Sequence, residues 1–224
     1  MKEEKKIIIA IPSCSSSRIP MLIKTVESIQ VGEYKNVHPV ILADGNPHIY
    51  DVVLEKLHNV TVIANEKRMD WVFSINRILQ EFDSDYYIFG SDDLNFRPGS
   101  IKYAMAKMQE CFPDGFGVIA LAKKNKCTFG LFGRKFADHF PNRQVFCPDY
   151  IHYASDSELM RCVTALGKYA YPPERTSMVL HSRLKDETWR LARQVRTRDH
   201  AIRDERQKRG YLWGVDFNLM VTRS

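Results

Sequence analysis

The sequence contains no CxxC pair. Its five cysteines, Cys14, Cys111, Cys127, Cys147 and Cys162, are odd in number and widely spaced. That pattern argues against a disulfide framework and a zinc ribbon, and a reducing, cytoplasmic setting is expected. There is no GxxxxGK and no GxGxxG. Those absences weigh against a P-loop nucleoside triphosphatase and a nicotinamide enzyme. No apolar run approaches the roughly 20 residues of a helical membrane span. The longest early one, Ile7 to Pro12, gives way to Ser13, Ser15, Ser16, Ser17 and Arg18. Lys2, Lys5 and Lys6 imitate the start of a secretion signal, but the hydrophobic stretch that should follow is missing, so export by that route is not expected. No repeat, low-complexity tract or Pro/Gly/Ser-rich linker divides the chain.

What is present is ordinary globular composition: 224 residues, 44% apolar and 27% charged. That length suits one α/β domain and is short for two. The net charge of +6 is concentrated near the C-terminus. Between Arg183 and Arg209 there are ten Lys/Arg against five Asp/Glu. This segment reads as a solvated helix. It would also suit a phosphate-rich donor, an anionic membrane surface or a nucleic-acid acceptor. Trp189, Ala192, Val195, Asp199 and Ile202 fall at helical spacing along it. Tyr211, Leu212, Trp213 and Phe217 read as an anchor for the tail.

Apolar runs alternate with helical patterns through the first half. Ile7–Ile11, Val37–Ala43, Val60–Ala64, Tyr86–Phe89 and Gly117–Leu121 read as buried strands. Helices are expected after Pro20, over Trp71 to Phe82, and after Pro98. The alternation predicts a mainly parallel sheet flanked by helices, with a ligand at the carboxyl ends of the strands. The expected organisation is a catalytic domain over 1–182 and a basic helical extension over 183–224, packed on or beside it.

Chemistry is therefore expected in the strand-end loops. The first is rich in hydroxyls, which suit helix capping. Asp44 ends the second strand. It can accept from the imide N–H of a uracil, or simply organise the turn with Gly45 and Asn46. Asn65, Lys67 and Arg68 precede a helix N-terminus and would suit a diphosphate. The fourth strand runs directly into Ser91-Asp92-Asp93. Adjacent carboxylates at a strand end repel unless a cation sits with them. Oxygen donors favour a hard divalent ion, Mg²⁺ or Mn²⁺. Phe129 to Gly133 and Tyr150, His152 and Tyr153 offer aromatic faces for sugar stacking or for core packing.

Together these loops resemble the family 2 glycosyltransferases, which have the GT-A fold. The likeness runs from about Ile7 to Leu166. Ile11-Pro12-Ser13-Cys14 is similar to the family's opening strand and turn, and Ala43-Asp44-Gly45-Asn46 to its DDGS segment, with only the second acid kept. Asn65, Ser74 and Asn76 match part of an N.G…A.N pattern. Ser91-Asp92-Asp93, with Phe96, Pro98 and Gly99, resembles the DxD-type motif as xDD. Ser155-Asp156-Ser157-Glu158-Leu159 resembles ED-x-E-L, with Ser155 in place of the first acid.

The resemblance implies roles residue by residue. Pro12, Ser13, Asp44, Asn65, Arg68 and Asp92 would bind the donor, Asp44 at the base and Asp92 near the ribose or a metal-bound water. Asp93 would ligate the metal, joined by His181, since many GT-A enzymes complete that site with a C-terminal histidine. Asp156 would be the general base. The implied activity is a metal-dependent, inverting transfer from a nucleotide-diphosphate sugar, with a UDP-sugar favoured. A sugar nucleotidyltransferase is the enzymatic alternative, although its Gly-rich first loop is missing. A non-catalytic nucleotide-sugar-binding or nucleic-acid-binding protein is the other. A cytoplasmic enzyme is expected, and the basic segment leaves attachment at a membrane surface open.

Overall fold

The computed structural model describes residues 4–122, 124, 126–172, 178–182 and 184–215. Phe217 and Arg183 lie outside them. The strands are β1 (Ile7–Ser13), β2 (Val37–Asp44), β3 (Thr61–Asn65), β4 (Tyr86–Phe89), β5 (Leu94–Phe96), β6 (Val118–Ala120), β7 (Gly130–Gly133), β8 (Tyr169–Ala170) and β9 (Val179–His181). The α-helices are α1 (Ile19–Gln30), α2 (Pro47–Lys56), α3 (Asp70–Glu81), α4 (Ser100–Cys111), α5 (Arg134–Ala137), α6 (Ser155–Ala165) and α7 (Glu187–Lys208).

Seven strands form one mixed sheet in the order β3-β2-β1-β4-β7-β6-β8. The first four are mutually parallel, and β7 runs antiparallel to both β4 and β6. β5 and β9 pair separately and antiparallel. The fold class expected from the sequence, a mainly parallel mixed α/β sheet flanked by helices, is the one found.

The continuous β-branched run of β1 is explained by burial on both faces. Ile7, Ile9 and Ile11 pack with Leu22, Val26 and Ile29 of α1 and Met105 and Met108 of α4. Ile8 and Ala10 join Ile75, Ile78 and Leu79 of α3 and the Phe132–Phe136 aromatics on the other side. Pro12 does not end β1 as expected. Pairing with β4 stops at Ala10, while pairing with β2 continues to Ser13. One edge is thus free at Pro12, where the missing N–H leaves no ladder bond unmade.

The sequence pattern does not mark β7 as a strand. Its terminal glycines hide it, yet packing demands them: a Cβ on Gly133 would lie 2.5 Å from the Gly115 carbonyl oxygen. Leu131 and Phe132 between them are fully buried, so the core-packing reading of this segment is the one realised.

Candidate functional site

The strand order reverses direction between β1 and β4, and there the carboxyl ends of parallel strands leave a crevice. Gly90 still bonds to the Ala10 carbonyl at 3.0 Å, and the chain then turns through Ser91-Asp92-Asp93. Both carboxylates are 2% exposed. Asp92 accepts from the Ser13 hydroxyl at 2.6 Å and from Arg18 Nη1 at 2.8 Å. Burial pushes its carboxyl up to about 6, against the pull of Arg18 and Ser13. Asp93 accepts from Ser91 Oγ at 2.5 Å, from Arg18 Nη1 at 3.3 Å and from His181 Nε2 at 3.1 Å. Burial raises this carboxyl as well, but His181, Ser91 and Arg18 outweigh it and hold Asp93 below its ordinary value.

β5 and β9 bring His181 to this point. Their ladder sets His181 opposite Leu94, one residue beyond Asp93, and Ser182 N–H donates to the Asp93 carbonyl at 3.1 Å. Arg18 comes from the short 3₁₀ turn Ser16–Arg18 that leads into α1. Its other fork grips Asp186, with Nε 2.6 Å and Nη2 3.1 Å from the two carboxylate oxygens.

A cavity of about 960 Å³ opens beside this cluster. Arg18, Asp93, Asp156, His181, Trp71 and Trp189 are among its walls. Asp156 stands in the first turn of α6, and its contacts are loose: Thr128 Oγ1 at 3.2 Å and Ser157 Oγ at 3.4 Å. His152 also lines the cavity, and burial lowers its pKa, so it is neutral near pH 7. The loop before α6 is fixed from α7. Fully buried Asp199 accepts from the backbone N–H groups of Ile151, His152 and Tyr153 at 3.2, 2.8 and 2.8 Å.

The remaining expected donor residues are elsewhere engaged. Pro12 is buried in β1, and Ser13 lies under Asp92. Asp44 accepts from Asn65 Nδ2 and from the Met69 and Asp70 N–H groups, each within 2.8 Å. Burial nonetheless raises its pKa above the ordinary value. Arg68 pairs with Asp70 at 2.5 Å. Asp44 therefore organises the loop between β3 and α3. Gly45 lets that loop close: at φ +68° it leaves no room for a Cβ, which would sit 2.4 Å from Arg68 N. Asp44, Asn65 and Arg68 are not among the walls of the cavity.

The donor set at β4 suits a divalent cation with few protein ligands. Asp93 and His181, which lie 3.1 Å apart, are the residues that would hold it. Asp92, Asp93 and Asp186 face one guanidinium, so the cluster is short of positive charge. Among the described residues no group of three or more His, Cys, Asp or Glu forms a metal cage. Water and phosphate would supply the remaining ligands.

A sequence profile of glycosyl transferase family 2 matches residues 8–169. The chain belongs to glycosyl transferase family 2. No curated protein matches this family 2 chain. Solved structures do. A mannosyltransferase, PcManGT from Pyrobaculum calidifontis, solved with GDP-Man and Mn²⁺, superposes with a TM-score of 0.69 at 14% identity, over 92% of this chain and 65% of that one. S. aureus TarS residues 1–349 with UDP gives 0.60 at 13% identity, over 77% and 59%. Another structure of S. aureus TarS 1–349 gives 0.58 at 14% identity, over 77% and 59%. The chain thus spans under two thirds of the length of these structures, and the likeness concerns the GT-A fold.

Within the family 2 fold, four residues of the site region escaped the sequence reading. In the sequence Arg18 is no more than the end of a hydroxyl-rich loop. Asp186 was counted only as charge. Asp199 was placed on the apolar stripe of its helix without a role, although an acid on that face was the available signal. Arg206 is 8% exposed, forks onto Glu158 at 2.8–3.2 Å and reaches Asp149 at 2.9 Å. Glu158 also accepts from Trp213 N–H and from the Tyr150 hydroxyl.

Proposed function

We propose that the chain transfers a sugar from a nucleotide-diphosphate sugar to an acceptor hydroxyl, with a divalent cation, Mn²⁺ or Mg²⁺, and inversion at the anomeric carbon. The main support is that Asp93, His181 and Asp156 line one cavity. Its volume lies at the upper end of the ~300–1,000 Å³ of small-molecule sites. The family membership supports the donor class. A UDP-sugar is the donor we favour.

Two charge problems attend the transfer. The acceptor hydroxyl must lose a proton as it attacks, and the leaving diphosphate gains negative charge. Asp156 takes the proton. Its carboxylate is only lightly bonded by Thr128 and Ser157, so acceptor lone pairs remain to face the hydroxyl. Asp93 and His181 would hold the cation, which supplies Lewis-acid neutralisation of the diphosphate. Trp71, Tyr153 and Trp189 line the cavity and would supply aromatic surface for the sugars.

A thermal-shift panel of UDP, GDP, dTDP and their sugars, with and without Mn²⁺, tests the reading. UDP compounds are expected to raise Tm only with the metal. A panel with no metal-dependent nucleotide shift rejects it.

A further inference from the structure

The guanidinium of Arg18 touches three carboxylates that come from distant parts of the chain. One nitrogen serves Asp92 and Asp93 at the end of β4, while the other two serve Asp186 at the start of α7. Arg18 is 7% exposed, so this is an ion-pair cluster shielded from water. Asp186 is at the same time the N-cap of α7, accepting from Trp189 N–H at 3.0 Å. A second contact joins the same two segments: Cys14 Sγ lies 3.8 Å from Thr188 Oγ1. Thr188, Trp189 and Ala192 of α7 are walls of the cavity.

We propose that Arg18 is a positioning residue for transfer, orienting the acidic pair with one fork and fixing the first turn of α7 as a cavity wall with the other. This role rests on the transfer reading above. The geometry requires an arginine. Its planar fork presents separate donors in fixed directions, whereas an ammonium at the same site is a point charge that cannot face both sides at once. The two functions are separable by mutation. Asp186→Asn keeps an N-cap oxygen for α7 and the Arg18 contacts to Asp92 and Asp93, and loses only the ion pair. Arg18→Lys keeps the charge and loses the fork.

The test measures three quantities on wild type, Arg18→Lys and Asp186→Asn. These are Mn²⁺·UDP affinity by calorimetry, steady-state transfer, and hydrogen exchange at the amides of 187–190. In Asp186→Asn, Mn²⁺·UDP affinity should stay near wild type, while kcat falls about tenfold or more and exchange at 187–190 rises. In Arg18→Lys, affinity and kcat should both fall about tenfold or more, with the same rise in exchange. A merely structural role would lower Tm without separating affinity from kcat in Asp186→Asn. Loss of the folded state in Arg18→Lys leaves the decision to Asp186→Asn, where wild-type kcat and exchange overturn the proposal. Wild-type protein that binds no nucleotide with Mn²⁺ overturns the transfer reading and this role with it. Wild-type binding matched by Arg18→Lys overturns the role of Arg18 alone.

Discussion

Asp93 Oδ2 and His181 Nε2 lie 3.1 Å apart although 88 positions separate them along the chain, because β9 pairs antiparallel with β5 directly after the acidic turn. The pairing register, with Leu94 opposite His181, is what fixes the distance.

Removal of either group should weaken metal binding. Asp93→Asn is expected to abolish the Mn²⁺-dependent nucleotide shift, and His181→Ala to weaken Mn²⁺ binding about tenfold or more. Titration of free Mn²⁺ by electron paramagnetic resonance reads both. Unchanged binding in Asp93→Asn would remove Asp93 from the ligand set.

Asp156→Asn tests the base separately from the donor. The amide cannot take a proton, so kcat should fall about 10²–10⁴-fold. Mn²⁺·UDP affinity should persist, since among the described residues the Asp156 carboxylate bonds to Thr128 and Ser157 and to neither Asp93 nor His181. Transfer assays paired with calorimetry give the answer, and near-wild-type turnover would sink the assignment.

Asp199→Ala leaves three backbone N–H groups of residues 151–153 without their acceptor. A loss on the order of 3 kcal/mol follows, or roughly 6–12 °C in Tm. Because the loop leads into α6 and Asp156, activity should fall at temperatures where the variant is still folded. Calorimetric Tm and kcat on one preparation check both.

Glu158 governs an acid-sensitive contact. Burial raises its carboxyl, but Arg206, Tyr150 and Trp213 outweigh it and hold it below the ordinary value. A depressed carboxyl contributes stability that is complete above its unfolded pKa of about 4.3 and is lost as pH falls through the folded value. Glu158→Gln should therefore be less stable than wild type by about 3 kcal/mol at pH 7. That gap should narrow below about pH 4. Urea unfolding across pH 3 to 7 measures it, and a gap independent of pH would contradict the linkage.

The parallel half of the sheet was legible because burial on both faces leaves uninterrupted runs such as Ile7–Ile11 and Tyr86–Phe89. The acidic turn was legible for the same reason, since Asp92 and Asp93 directly follow such a run. β7 was not, because Gly130 and Gly133 meet a packing requirement set by Gly115, Phe89 and Val118, which lie far from it in sequence. The sequence reads Asp44 in one way as an organiser of the turn with Gly45 and Asn46, whereas its carboxylate braces the loop after β3. Its three hydrogen bonds within the fold depend on how the loop after β3 folds back, which no local pattern records. The partners of Arg18, Asp199 and Arg206 were hidden because long-range ion pairing leaves no periodicity. Each is a charged residue whose burial only the tertiary arrangement reveals.

The hydrogen bonds from Asp199 to residues 151–153 have a practical corollary for anyone shortening the chain. A version ending at the family boundary near residue 169 would retain the acidic turn and Asp156 but would lose β9, and with it His181, along with the tether that steadies the segment leading into the proposed base. Such a fragment should be judged a poor stand-in for the enzyme, even where every recognisable motif survives in it.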